Sequence, residues 1–125
     1  MIYYENTKVI TKACELNNRI NDTVVISGIY SNCMEYSSFD LVEKDNCYEL
    51  FNMDLNLNEV EFTPELDKRF DKMQGCGVSM KMILKGILRK DINSDYGHLG
   101  TNNSLLEVLE IVEYGKVKHH KLKTE

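Results

Sequence analysis

The chain has 125 residues, 42% of them hydrophobic, which suits one core of ordinary domain size. With 20 acidic and 15 basic residues it carries a formal charge of −5, removing the long-range attraction to phosphate that drives non-specific nucleic-acid binding. No apolar run approaches the roughly 18 residues that span a bilayer, so no membrane partner is expected.

The opening MIYYENTKVITK lacks the basic-then-apolar order of a secretory leader. The chain therefore reads as cytoplasmic, or as a mature exported fragment whose leader was removed. The four cysteines, Cys14, Cys33, Cys47 and Cys76, form no C-x-x-C and have no paired histidines at metal spacing. No metal and no cofactor is expected. Free thiols acting as small apolar core residues are the favoured reading, with two disulfides as the alternative in an exported chain.

In chain order, residues 1–20 are a lead-in, in which TKACELNNRI forms one helical turn or a loose strand. Residues 23–30, TVVISGIY, are β-branched and bounded by Asn21-Asp22 and Ser31-Asn32, which predicts a strand. SSFDLVE (37–43) and CYELFNMDL (47–55) are shorter β-leaning runs, with Lys44-Asp45-Asn46 as a hairpin turn between them. Thr63 as N-cap, Pro64 at the first helical position and an acidic first turn start a short helix. Leu66, Phe70 and Met73 make its apolar stripe, and Gly75 and Gly77 stop it.

Residues 78–89, VSMKMILKGILR, alternate with period two and predict a second long strand. Both long strands carry an interior glycine, Gly28 and Gly86, which suits a bend or a close backbone approach in a small barrel. Residues 105–113 pose a conflict. Ser104 and Glu107 resemble a capping box with a helical apolar face behind it, while Val108, Ile111 and Val112 favour a strand. Residues 78–89 need a partner, so the strand is preferred. The expected fold is mainly β: one domain, with a five-stranded, OB-fold-like, partly open barrel over residues 21–114, one short helix between its third and fourth strands, and a basic tail over 115–125.

Three short patterns carry a resemblance. Ile26, Gly28 and Tyr30 give apolar-x-G-x-Y in the first long strand, and Leu84, Gly86 and Leu88 give a similar pattern in the second. Gly97-His98-Leu99-Gly100 precedes the last. Over about residues 20–113 the chain resembles a group of small bacterial OB-fold-like domains with a GHLG loop. It departs from them where Thr101-Asn102-Asn103 replaces an aromatic-containing stretch. The resemblance implies the barrel and no established activity.

Candidate ligand-binding residues are Tyr30 and Tyr36 near the first two strands, and Tyr96 and His98 in the loop before the last. That loop also has a structural reading, in which Gly97 and Gly100 take positive φ, Leu99 plugs a barrel end and His98 bonds backbone across the loop. Tyr30, Tyr36, Phe39, Tyr48 and Phe51 read as core and rim packing. Lys81, Lys85 and Arg89 form a candidate basic face on the second long strand. No catalytic residues are assigned. The sequence has no nucleophile elbow, zinc-protease motif or phosphate loop, and a pairing of Cys33 or Cys76 with His98 has no spacing to support it. The expected function is non-enzymatic binding of a protein partner or small ligand through the barrel-end loops. An inhibitor or immunity-type protein is one form of that, and a single-stranded nucleic-acid binder is the alternative.

Overall fold

The computed structural model describes residues 2–91, 93 and 95–120. Two short strands, β1 (Tyr3–Tyr4) and β2 (Thr7–Lys8), form an amino-terminal hairpin around Glu5 and Asn6, both at positive φ. A single 3-10 turn follows at Ala13–Leu16. Then come β3 (Thr23–Cys33), β4 (Tyr36–Leu41), β5 (Asn52–Asn56), α1 (Pro64–Lys72), β6 (Cys76–Arg89) and β7 (Ser104–His119).

The five later strands close into a ring in the order β3-β4-β5-β7-β6 and back to β3. All pairings are antiparallel except β5 with β7, where Met53 lies beside Ser104. The seam between β4 and β5 is the thinnest, holding only Phe39↔Met53 and Asp40↔Asn52. This is the partly open, OB-fold-like barrel expected from the sequence, with α1 between its third and fourth strands.

The two strand glycines sit where staves touch. A Cβ on Gly28 would lie 2.5 Å from the Asp40 carbonyl oxygen, and one on Gly86 would lie 2.5 Å from that of Glu107. Neither position has room for a side chain, so glycine here is a condition of closing the ring. Inside it, Phe39, Met53, Met80, Leu84, Leu88 and Leu106 are buried completely or nearly so.

Each open end of the barrel has its own cover. Ala13 and Leu16, both fully buried, plug the end where β3 begins, and Ile10 runs parallel to Ile26 there. At the other end α1 lays Leu66 and Phe70 toward the core, with Thr63 Oγ1 accepting from the Leu66 N–H at 3.2 Å as N-cap. Asn32 Nδ2 donates to the Met73 carbonyl at 2.7 Å and holds the helix end to β3. A third layer lies outside the ring, where Val9 covers Val25 and Ile83, and the Tyr4 hydroxyl donates to Glu110. That carboxylate pushes the Tyr4 pKa up to about 12.

Several expectations change. Residues 47–50 are not strand: Tyr48–Leu50 is a 3-10 turn, and β5 begins only at Asn52. The connection after β4 is accordingly longer than a hairpin turn at 44–46. The presumed basic tail is structured through His119, because β7 continues beside β6 well past Gly115; residues 121–125 lie outside those described. The strand reading of residues 105–113 holds, with β6 on one side of β7 and β5 on the other. All four cysteines are oxidised, as Cys14–Cys47 and Cys33–Cys76, in place of the favoured free thiols. The physical reason is placement. The first pair ties the amino-terminal plug to the loop after β4, and the second faces across the β3–β6 ladder, so neither pair sits in the core.

Candidate functional site

A cleft of about 490 Å³ opens where β3 runs into β4. Its walls come from the ends of four strands and from one loop: Ser31 and Cys33 of β3, Tyr36 and Ser38 of β4, Asn52 at the start of β5, Cys76 at the start of β6, and Thr101-Asn102 before β7. Register explains why these side chains meet. Ser31 is the Cα partner of both Ser38 and Ser79, and Cys33 of both Tyr36 and Cys76, so they share the face opposite Tyr30 and Asn32.

The loop that closes the cleft is pinned from several sides. Tyr96 and Asn102 exchange backbone hydrogen bonds at 2.9 and 2.8 Å, and Asn102 Nδ2 donates to the Ser37 carbonyl at 3.0 Å. Gly97 has φ 76°, and a Cβ there would collide with the Asn102 side chain. Next to it, Asn103 and Asn52 bond reciprocally. The Asn103 N–H donates to Asn52 Oδ1 at 2.8 Å, and the Asn52 N–H donates to Asn103 Oδ1 at 3.0 Å.

His98 Nε2 pairs with Glu35 Oε2 at 2.8 Å, and its ring meets Tyr36 edge-on, centroids 5.0 Å apart at 78°. The loop before β7 is thereby fastened to the tip of the β3–β4 hairpin. On either side of this clasp stand Met34 and Leu99, 78% and 79% exposed, both with positive φ (57° and 55°). Tyr36 is 43% exposed beside them.

Of the expected ligand-binding residues, Tyr36 lines the cleft and His98 packs against its ring. Tyr30 does not: it packs against Phe70 of α1 with centroids 5.8 Å apart, and burial raises its pKa. Tyr96 belongs to the same loop but borders a separate hollow with Asn21, Arg89, Lys90 and Asp91. The structural reading of the loop also needs correcting. Leu99 points into solvent and plugs nothing, because α1 and the Ala13–Leu16 turn already close the barrel ends. The His98 ring bonds a carboxylate of the facing hairpin in place of backbone. Cys33 and Cys76 are bonded to each other, which leaves no thiol for His98 to activate.

The candidate basic face is divided among carboxylates. Lys85 Nζ lies 3.5 Å from Glu5 Oε2, and Arg89 Nε lies 3.3 Å from Glu107 Oε1 while its Nη1 donates to Asn21 Oδ1. Lys81 borders a smaller hollow of about 210 Å³ with Ile2 and Glu113. Sequence reasoning missed Met34, Asn52 and Asn102. The available signal was the run Thr101-Asn102-Asn103, three hydrogen-bonding side chains at a loop-to-strand junction.

No family model, curated protein or solved structure matches this chain.

Proposed function

We propose that the chain is a non-enzymatic binding module that engages a protein partner or small ligand through the tip of the β3–β4 hairpin, residues 31–38, and the neighbouring loop of residues 96–100. The observation that supports this most is the pair Met34 and Leu99. A bulky L-residue in the left-handed region costs about 1–2 kcal/mol. Both residues hold that conformation with their side chains largely in solvent, while the Met34 N–H donates to the Gly75 carbonyl at 2.8 Å. Burial under a partner would offset that cost.

The Glu35–His98 clasp sets the two loops at a fixed spacing, so the surface is organised before a partner arrives. The net charge of −5 favours a basic partner by steering, and an inhibitor that neutralises a basic protein is one form of this reading. Two disulfides in so small a chain fit work in an oxidising compartment. Single-stranded nucleic acid is the weaker reading, since Lys85 and Arg89 are already engaged by carboxylates.

The test compares wild type with a Met34→Ser, Leu99→Ser double variant as bait for extracts of the native host. The expected result is a protein or ligand retained by wild type and lost by the variant, with unchanged melting. Equal retention by both would refute this use of the loops. Labelled oligonucleotide bound at low salt and released as salt rises would favour the nucleic-acid reading.

A further inference from the structure

Within the binding-module reading, we infer that the cleft beside the Glu35–His98 clasp takes a neutral, hydroxyl-rich ligand, a saccharide, with Tyr36 as its stacking platform. Three features of the walls lead there.

The first is charge. The side chains lining the cleft are hydroxyls, amides, a tyrosine, Val78 and the Cys33–Cys76 disulfide, with His120 the one titratable imidazole among them. Among the described residues no lysine, arginine or carboxylate lines it. A phosphate or sulfate would find no fixed cation among them, and an amine would find no anion.

The second is the state of the strand edges. Extended peptides usually bind by adding to an unpaired edge. Here β3 is paired on both sides at Ser31–Cys33, by β4 and by β6. The Ser37 carbonyl on the outer edge of β4 is already taken by Asn102 Nδ2. Recognition is left to side chains, and the available groups are the complements of hydroxyls.

The third is preorganisation. Asn52 is locked by its reciprocal bonds with Asn103. The amide uses one end for the fold: Asn52 Nδ2 and the Ser31 hydroxyl have no hydrogen-bond partner among the described residues. No buried side-chain polar atom among the described residues lacks a partner, so these two groups are open to solvent, and both residues line the cleft. They present a donor and a group able to donate or accept. The volume of about 490 Å³ falls within the roughly 300–1,000 Å³ of small-ligand sites. The Tyr36 ring, held edge-on by His98, offers a flat apolar surface to the C–H face of a sugar.

The test is a titration of isotope-labelled protein, disulfides intact, with a panel of neutral tetrasaccharides: β-1,4- and α-1,4-linked glucose, β-1,3-linked glucose and β-1,4-linked N-acetylglucosamine. The expected result is that at least one shifts the amide signals of Ser31, Tyr36, Asn52 and Asn102. Tyr36→Ala should then weaken binding about tenfold, and Ser31→Ala about fivefold. The Ser31 hydroxyl makes no hydrogen bond among the described residues, so its variant keeps the test valid if Tyr36→Ala folds poorly. No shift with any member of the panel, shifts confined to another face, or tighter binding of a sulfated tetrasaccharide would each overturn the inference. The binding-module reading is judged separately, by the Met34 and Leu99 variant and its captured partner.

Discussion

His98 Nε2 donates to Glu35 Oε2 at 2.8 Å, and this contact, between residues far apart in the chain, holds the loop before β7 against the β3–β4 hairpin. Both groups are substantially exposed, so the pair adds below about 1 kcal/mol to global stability. Its effect is local. Glu35→Gln should leave the melting temperature within about 2 °C of wild type while hydrogen exchange quickens from Tyr96 to Asn102. A large drop in melting with unaltered loop exchange would show that the pair serves the core.

Gly28→Ala and Gly86→Ala test the closure of the ring. Each methyl would meet a neighbouring carbonyl oxygen at 2.5 Å, and that oxygen belongs to strand backbone that cannot move without opening the seam. Each variant should lose at least about 2 kcal/mol by urea denaturation. Gly75→Ala is the contrast. It meets nothing within 4 Å, and its φ of 99° is the sole source of strain.

Cys14–Cys47 spans 33 positions and fastens the amino-terminal plug. Removing it as a Cys14→Ala, Cys47→Ala double variant should lower stability by about 2–4 kcal/mol. Protease sensitivity should rise first around Ala13–Leu16. Unchanged denaturation would mean that Ala13 and Leu16 hold the plug by packing alone.

Asp54, on β5, has its carboxyl pKa raised by burial, with the Leu55 backbone partly offsetting it; burial raises that of Asp40 too, against a hydrogen bond from Ser38. A raised carboxyl means the folded chain holds the proton more tightly than the unfolded chain does. The resulting stability is present below the ordinary aspartate value near 3.8 and is lost as pH rises through the folded value. Asp54→Asn should therefore match wild type at the acid end of its folded range and exceed it at pH 7. A variant that is less stable at pH 7 would show that the carboxylate makes a favourable contact outweighing its burial.

The barrel was legible because its signals are local and repeat along the chain. Period two over residues 78–89, β-branching over 23–30 and an interior glycine in each give two long staves and the reason they bend. The proline-started helix announces itself through Thr63 and Pro64. The last strand was harder, since Ser104 and Glu107 imitate a helix start. Pairing with β5 and β6 overrides that local preference, and pairing is a property of the whole sheet. Residues 47–50 were misread for the converse reason: β-leaning side chains sit where Cys47 is tethered to Cys14 and Asp45 caps the Cys47 N–H.

The site was half legible. Tyr36 and His98 could be named from the sequence, because an aromatic group after a predicted strand and an imidazole beside a glycine are conspicuous. Their meeting could not, since it depends on the register that brings residues 33–36 beside 96–102. Tyr30 failed as a candidate because strand alternation turns it inward, onto Phe70. Leu99 was expected to be a plug on the strength of its apolar side chain, but the plug comes from Ala13 and Leu16, in a stretch whose pattern was too short to read.

The two disulfides enclose overlapping spans, Cys14 to Cys47 and Cys33 to Cys76. Any single peptide bond cut between Cys14 and Cys76 therefore falls inside at least one covalent loop, and the severed pieces stay joined. Such a molecule can be nicked once anywhere in β3, β4, β5 or α1 and still travel as one particle, a useful property for a chain that meets proteases.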